Sequence, residues 1–255
     1  MPAVVPPWAI AAAYGTFPIV RGNVTLQVPF SESDSPMPTT PPFVTSRREI
    51  AGIPVADLVR QFGTPTFVYD AAMILERLSD LRAFDVVRYA QKAASNLAIL
   101  DLVRRSGAMV DTVSANEVRR AMAAGYLTQG DPPPIVYTAD IFDADALDLV
   151  VRENIHVNCG SPDMLDQYGC VAPGRTITLR VNPGFGHGHS RKTNTGGDCS
   201  KHGIWHEQLA ECLVTAEHHG LSVTGLHVHI GSGTDLEHLS QVCGALEKAA
   251  LEVGR

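Results

Sequence analysis

From residue 53 onward, short apolar or β-branched runs alternate with stretches of helical period. Runs at 86–90, 109–113, 135–138, 155–159, 176–181 and 223–230 predict strands. Between them, 97–105, 115–124, 144–152, 163–168 and 205–219 predict helices. Ahead of this series, 53–62 reads as a helix stopped by Gly63 and 66–69 as a strand. Residues 71–81 read as a helix with Asp70 as its N-cap. The strand starts are 23, 26, 20, 21 and 47 residues apart, and each step leaves room for one helix. That period implies parallel strands joined by right-handed crossovers. An open doubly wound sheet and a barrel both satisfy it. No GxGxxG follows the first strand, which favours an α/β fold of the TIM (β/α)8 type, with six of its eight strands visible.

Residues 1–45 break the pattern. They hold nine of the 17 prolines and the solvated run Ser-Glu-Ser-Asp-Ser-Pro (31–36), and read as a flexible leader. The domain reading is therefore a leader, 1–45, and a partial barrel, 46–255. Met37, just before the ordered pattern, is a candidate translation start. A composition of 45% hydrophobic and 18% charged residues excludes a disordered chain. A net charge of −7 excludes the basic surface that nucleic acid requires. No apolar run reaches membrane-spanning length, and no positive segment precedes the apolar residues near the N-terminus. The expected location is the cytoplasm, with no membrane partner. The five cysteines form no CxxC pair, so neither a disulfide framework nor a thiolate zinc site is suggested.

In such barrels the reactive groups sit at the C-terminal ends of the strands. Lys92 follows the first strand, where desolvation by apolar neighbours would prepare an amine for Schiff-base chemistry; a solvated lysine at an element boundary is the plainer alternative. Asp111 lies inside an apolar run and needs a cationic or hydrogen-bonding partner. Ser114 and Glu117 fit a capping box, so Glu117 is at least as much structural as catalytic. Arg180, within the fifth strand, calls for an internal anion or carboxylate, unless it faces the surface.

The long step holds the loop 184–203, with six glycines and three histidines. The pairs His187/His189, His202/His206 and His227/His229 raise the question of zinc, but no Asp or Glu completes a metal motif. Beyond the sixth strand, His229 would face the barrel mouth, and Gly231-Ser232-Gly233 would expose backbone N–H groups to an anion at the next helix start. An amine, a flat imidazole and an anion cradle on one face suit a planar phosphorylated aldehyde, pyridoxal 5'-phosphate.

The segments Arg-Tyr-Ala-Gln-Lys-Ala-Ala-Ser-Asn (88–96), Val-Asp-Thr-Val-Ser (110–114), Leu-Arg-Val-Asn-Pro-Gly-Phe-Gly-His-Gly-His (179–189) and His-Val-His-Ile-Gly-Ser-Gly (227–233) resemble the diaminopimelate decarboxylase family of fold-type III pyridoxal-phosphate enzymes. The loop segments 192–197 and 200–205 resemble one bacterial branch of it, and the resemblance covers about residues 55–255. It implies that Lys92 carries the cofactor, His229 stacks on its ring, and Gly231 and Ser232 hold its phosphate. It also implies that Asp111 lies near the lysine and that Arg180 lies under the ring or by its O3′. The implied reaction converts meso-diaminopimelate to L-lysine and CO2, in lysine biosynthesis. The implied partners are a small amino-acid substrate and, in the full-length form, a second copy in a homodimer.

The family's Glu-Pro-Gly-Arg and Cys-Glu-Ser-Gly-Asp segments and its Gly-rich phosphate loop do not occur in the sequence. The chain therefore reads as an N-terminal portion without the C-terminal β-domain, and is expected to be inactive by itself. Three alternatives remain open at this level: an ornithine- or arginine-type decarboxylase of the same fold, a non-catalytic cofactor-binding barrel, and a metal-dependent barrel hydrolase using the histidine pairs.

Overall fold

The structure is a computed structural model that describes residues 47–187, 195–231 and 236–254, and the backbone of residues 16–18. These divide between two compact units, one containing 47–74 and the other 75–254 with 16–18. The first strand, β1 (Thr16–Pro18), falls inside the segment read as a leader; the rest of 1–46 lies outside the described residues.

In the first unit, β2 (Glu49–Ile50) and β3 (Ile53–Pro54) form an antiparallel pair. Helix α1 (Val55–Phe62) follows and stops at Gly63, whose φ of 74° suits glycine and whose N–H bonds the Val59 carbonyl. The strand expected at 66–69 does not form, because no ladder partner accompanies this run among the described residues. Helix α2 (Ala71–Ser79), whose residues divide between the two units, is two residues shorter than expected and starts on Asp70, whose Oδ1 accepts the Ala72 N–H at 2.9 Å.

The second unit carries the regular alternation: β4 (Arg88–Ala90), α3 (Leu97–Arg105), β5 (Met109–Thr112), α4 (Ala115–Ala123), β6 (Ile135–Ala139), α5 (Ala144–Arg152), β7 (His156–Cys159), α6 (Pro162–Val171), β8 (Thr176–Asn182), β9 (Ile204–Trp205), α7 (Leu209–His218), β10 (Ser222–Val228) and α8 (Leu236–Val253). The helix expected over 205–219 starts only at Leu209, because Ile204 and Trp205 add to the edge of β8 and a 3-10 turn intervenes.

Strands β4, β5, β6, β7, β8 and β10 neighbour one another in that order, and every junction is parallel. This is the sequential arrangement of a βα barrel, and no pairing closes β4 onto β10 among the described residues. β1 runs antiparallel along the outer edge of β10.

Alternation along each strand separates two faces. Val110, Tyr137, Val157, Ile177, Leu179 and Leu226 are buried on one of them. Neighbouring helices pack together in chain order, α3 on α4 and α4 on α5, then α6 on α7 and α7 on α8. The other face is polar yet also buried: Arg88, Asp111, Thr138, Asn158, Thr178, Arg180, Asn182 and His227. The helices are anchored by side-chain caps at the loop ends nearest this face. Asn96 accepts the Ala98 N–H at 2.9 Å, Asp143 that of Ala146 at 2.7 Å, and Ser161 that of Met164 at 3.1 Å. Each such cap is worth about 1 kcal/mol.

Candidate active site

A buried polar group must find a partner, and on the polar face the partners come from adjacent strands. Thr138 Oγ1 donates to Asp111 Oδ1 and accepts from Asn158 Nδ2 at 2.7 Å, linking β5, β6 and β7. His156 Nε2 meets Thr178 Oγ1 at 2.8 Å, and Arg88 Nη1 donates to the Pro133 carbonyl at 2.5 Å. Asn182, at the end of β8, donates to the Gly197 carbonyl at 3.0 Å and accepts the N–H groups of Gly184 and Gly197 at 3.1 and 2.9 Å. That side chain folds the loop after β8 back over the strand end.

Lys92 lies in the 3-10 turn Gln91–Ala93 that follows β4, with an exposed side chain. Its ammonium is near enough to Asp111, Glu117, His227 and His229 to act on the charge of each. Burial pushes the Asp111 carboxyl up to about 7, against the opposing pull of the Thr138 hydroxyl, Lys92 and Arg88. Burial also raises Glu117, opposed by the Val113 N–H and Lys92. Ser114 Oγ accepts the Glu117 N–H at 3.3 Å, so the expected Ser114 cap forms, while Glu117 Oε2 accepts the Val113 N–H at 2.8 Å, one residue before the cap, and also faces Lys92 electrostatically.

His229 is lowered to about 3 by burial and by the Arg180, Lys92 and His202 charges. His227 is lowered well below the usual imidazole value by burial, then Arg180, His229 and Lys92. At neutral pH both rings are therefore uncharged, flat and suited to stacking. Gly231 follows with φ of 127°, a conformation that favours glycine. The Ile230 carbonyl accepts N–H groups from His187 at 2.8 Å and Thr195 at 3.4 Å, and Thr195 Oγ1 donates to the His229 carbonyl at 3.0 Å. The loop after β8 is thereby pinned to the end of the last strand. Ser232, Gly233 and His189 lie outside the described residues.

Arg180 finds the carboxylate partner its position demanded: Nη1 lies 3.3 Å from Asp140 Oδ1, and the side chain is almost wholly covered. Asp140 itself, with Asn182, Thr138, Asn158 and Arg88, is absent from the residues singled out by sequence, and His202 was considered there only as half of a metal pair. Asp140 directly follows β6, and its strand-end position was the one available signal. Of the histidine pairs, His202 bonds Asp140, His187 stacks on His238 with ring centres 3.7 Å apart, and His206 tilts against Trp205. Among the described residues no group of three or more His, Cys, Asp or Glu gathers as a metal site. A cleft of about 250 Å³, lined by Gln129, Pro133, His156 and Arg175, lies at the opposite ends of the strands, apart from these groups.

The amine, the buried carboxylate, the uncharged imidazoles and the fixed guanidinium fit an aromatic aldehyde bearing an anionic group. Comparison with known proteins points the same way. Residues 73–255 match the family described as pyridoxal-dependent decarboxylase, pyridoxal binding domain. A diaminopimelate decarboxylase of Streptomyces coelicolor is 55% identical over 201 residues, which are 79% of this chain and 46% of that protein. A crystal structure of diaminopimelate decarboxylase superposes with a TM-score of 0.75 at 53% identity, covering 79% of this chain and 48% of that one. The Helicobacter pylori diaminopimelate decarboxylase complexed with L-lysine gives 0.70 at 27% identity, covering 78% and 54%. The chain thus spans about half the length of the relatives it matches. With Lys92, Asp111, Arg180 and His229 all inside the matched region and meeting on one strand-end face, the chain belongs to the pyridoxal-dependent decarboxylases and carries their pyridoxal binding domain.

Proposed function

We propose that this chain supplies the cofactor-binding half of a diaminopimelate decarboxylase active site, which releases CO2 from meso-diaminopimelate to leave L-lysine. The observation that carries the reading is that Lys92, exposed in the turn after β4, lies near enough to the buried Asp111 and to the uncharged His229 to act on the charge of both. Bound pyridoxal phosphate supplies a conjugated ring that accepts the electron pair left behind by departing CO2.

The chain's own residues do the rest. Lys92 is the amine that holds the cofactor's aldehyde. Asp111, close to Lys92 and titrating near neutrality, is able to keep or give up a proton beside that amine. His229 would offer an uncharged face to the ring, and Arg180, fixed by Asp140, would supply a positive charge to the bound cofactor. Gly231 and Ser232 are the residues that would hold the phosphate. Identity to the Streptomyces enzyme and likeness to a Helicobacter enzyme holding L-lysine support diaminopimelate over ornithine or arginine as the substrate.

The same reading divides the chain into a proline-rich leader, 1–45, and the barrel portion, 46–255, working in the cytoplasm as part of a homodimer. No described helix is long and apolar enough to cross a membrane. Borohydride reduction of the chain with pyridoxal phosphate, followed by peptide mass spectrometry, should place the pyridoxyl group on Lys92. A label elsewhere, or none, removes Lys92 from its role. In a form that also carries the family's C-terminal segments, release of CO2 from meso-diaminopimelate, and not from ornithine or arginine, tests the substrate.

A further inference from the structure

One carboxylate ties several elements together at the strand ends. Asp140 directly follows β6. Its Oδ1 accepts the Gly203 N–H at 3.2 Å and meets Arg180 Nη1 of β8 at 3.3 Å, while Oδ2 bonds His202 Nδ1. Its backbone carbonyl accepts the hydroxyl of Ser161, the N-cap of α6, at 2.7 Å. The side chain is about four-fifths covered, which shields these contacts from water. The chain also leaves room for it. Gly160, at the end of β7, lies so close that a Cβ there would collide with Asp140 Oδ1 and the Ala139 carbonyl.

Arg180 alone needs only one carboxylate oxygen, and an ordinary loop needs none. Spending both oxygens on Arg180 and on two consecutive residues of the loop before β9 couples the guanidinium to that loop. We propose that Asp140 is a positioning residue: it clamps residues 202–203 to Arg180, so that the seating of this loop and the placement of the guanidinium at the cofactor face are one event. The consequence for the cofactor rests on the function proposed above; the clamp itself does not.

The test uses two readouts on the whole chain. Lys201 is exposed and immediately precedes the clamped pair, so trypsin cleavage after Lys201 reports loop seating. Cleavage after Arg105, 71% exposed at the end of α3, reports the rest of the fold. Asp140→Asn should speed cleavage after Lys201 about tenfold, the effect of losing one charge-assisted hydrogen bond, and leave cleavage after Arg105 unchanged. Pyridoxal phosphate binding, followed by absorbance, should weaken by a similar factor. His202→Ala, which leaves β6 and Arg180 intact, should speed the same cut, with a smaller effect on cofactor binding. The double variant should be cut no faster than Asp140→Asn.

Unchanged cleavage after Lys201 in both single variants overturns the clamp, as does equal acceleration at Lys201 and Arg105. Faster cleavage with undiminished cofactor binding in Asp140→Asn overturns the coupling to Arg180. Failure of the unsubstituted chain to bind pyridoxal phosphate overturns the proposed function instead, and the cleavage rates still decide the clamp.

Discussion

Asp111 and two largely covered histidines, His229 and His156, oppose each other when the protein is acidified. Burial lifts Asp111 to about 7, so between about 4 and 7 the folded chain holds this proton more tightly than the unfolded one. Its contribution to stability is present at low pH and is lost as pH rises through about 7. His229, lowered to about 3, and His156, lowered to about 4 by burial and by the nearby Arg88, work the other way. Their contribution is present above about 6.5 and is lost as pH falls toward those values. Asp111→Asn removes only the first effect. Its melting temperature relative to the unsubstituted chain should therefore climb steadily from pH 4 to pH 7; a gap that stays constant across that range would show that Asp111 titrates normally. The need for a partner at Asp111 was legible from its apolar neighbours. The identity of the partner was not, because Thr138 lies 27 residues away and carries no local mark of its role.

Elements were legible where the apolar period is regular. Helices α3 and α5 start and stop where the apolar period placed them, and the structure closes their starts with the side chains of Asn96 and Asp143. Misreadings came where pairing decides. The 66–69 run has strand composition without a ladder, and residues 204–205 join β8 rather than α7. Asp140 escaped for the same reason, since Arg180 and His202 stand 40 and 62 residues further along. The contact between the ends of β6 and β7 gives a prediction at this scale. Gly160→Ala forces its new methyl against Asp140 and the Ala139 carbonyl, so it should cost about 1–3 kcal/mol of stability. It should also speed tryptic cleavage after Lys201. Denaturant titration with the cleavage assay checks both; a variant as stable as its parent would mean that the strand ends separate easily.

For the whole molecule, the regular βα spacing was enough to read parallel strands in sequential order, and the structure has that order. Strand β1 was not foreseen, because the surrounding prolines argue for a leader. It covers the outer edge of β10, where bare N–H and carbonyl groups would otherwise invite pairing with other chains. Deleting residues 1–46 should therefore leave pyridoxal phosphate binding at Lys92 intact but increase self-association, read by light scattering. A deletion variant that stays as monodisperse as its parent would show that β1 protects nothing. The pinning of the β8 loop has a consequence in time rather than in space. Thr195 bonds the carbonyls of His229 and Ile230, the former 34 residues later in the chain. At ordinary rates of synthesis, that loop must wait on the order of seconds after it is made for its anchor to exist. Until then the nascent loop has its ties to Asn182 and Asp140 but lacks the His187 and Thr195 anchors, and is the more open to any chaperone or protease nearby.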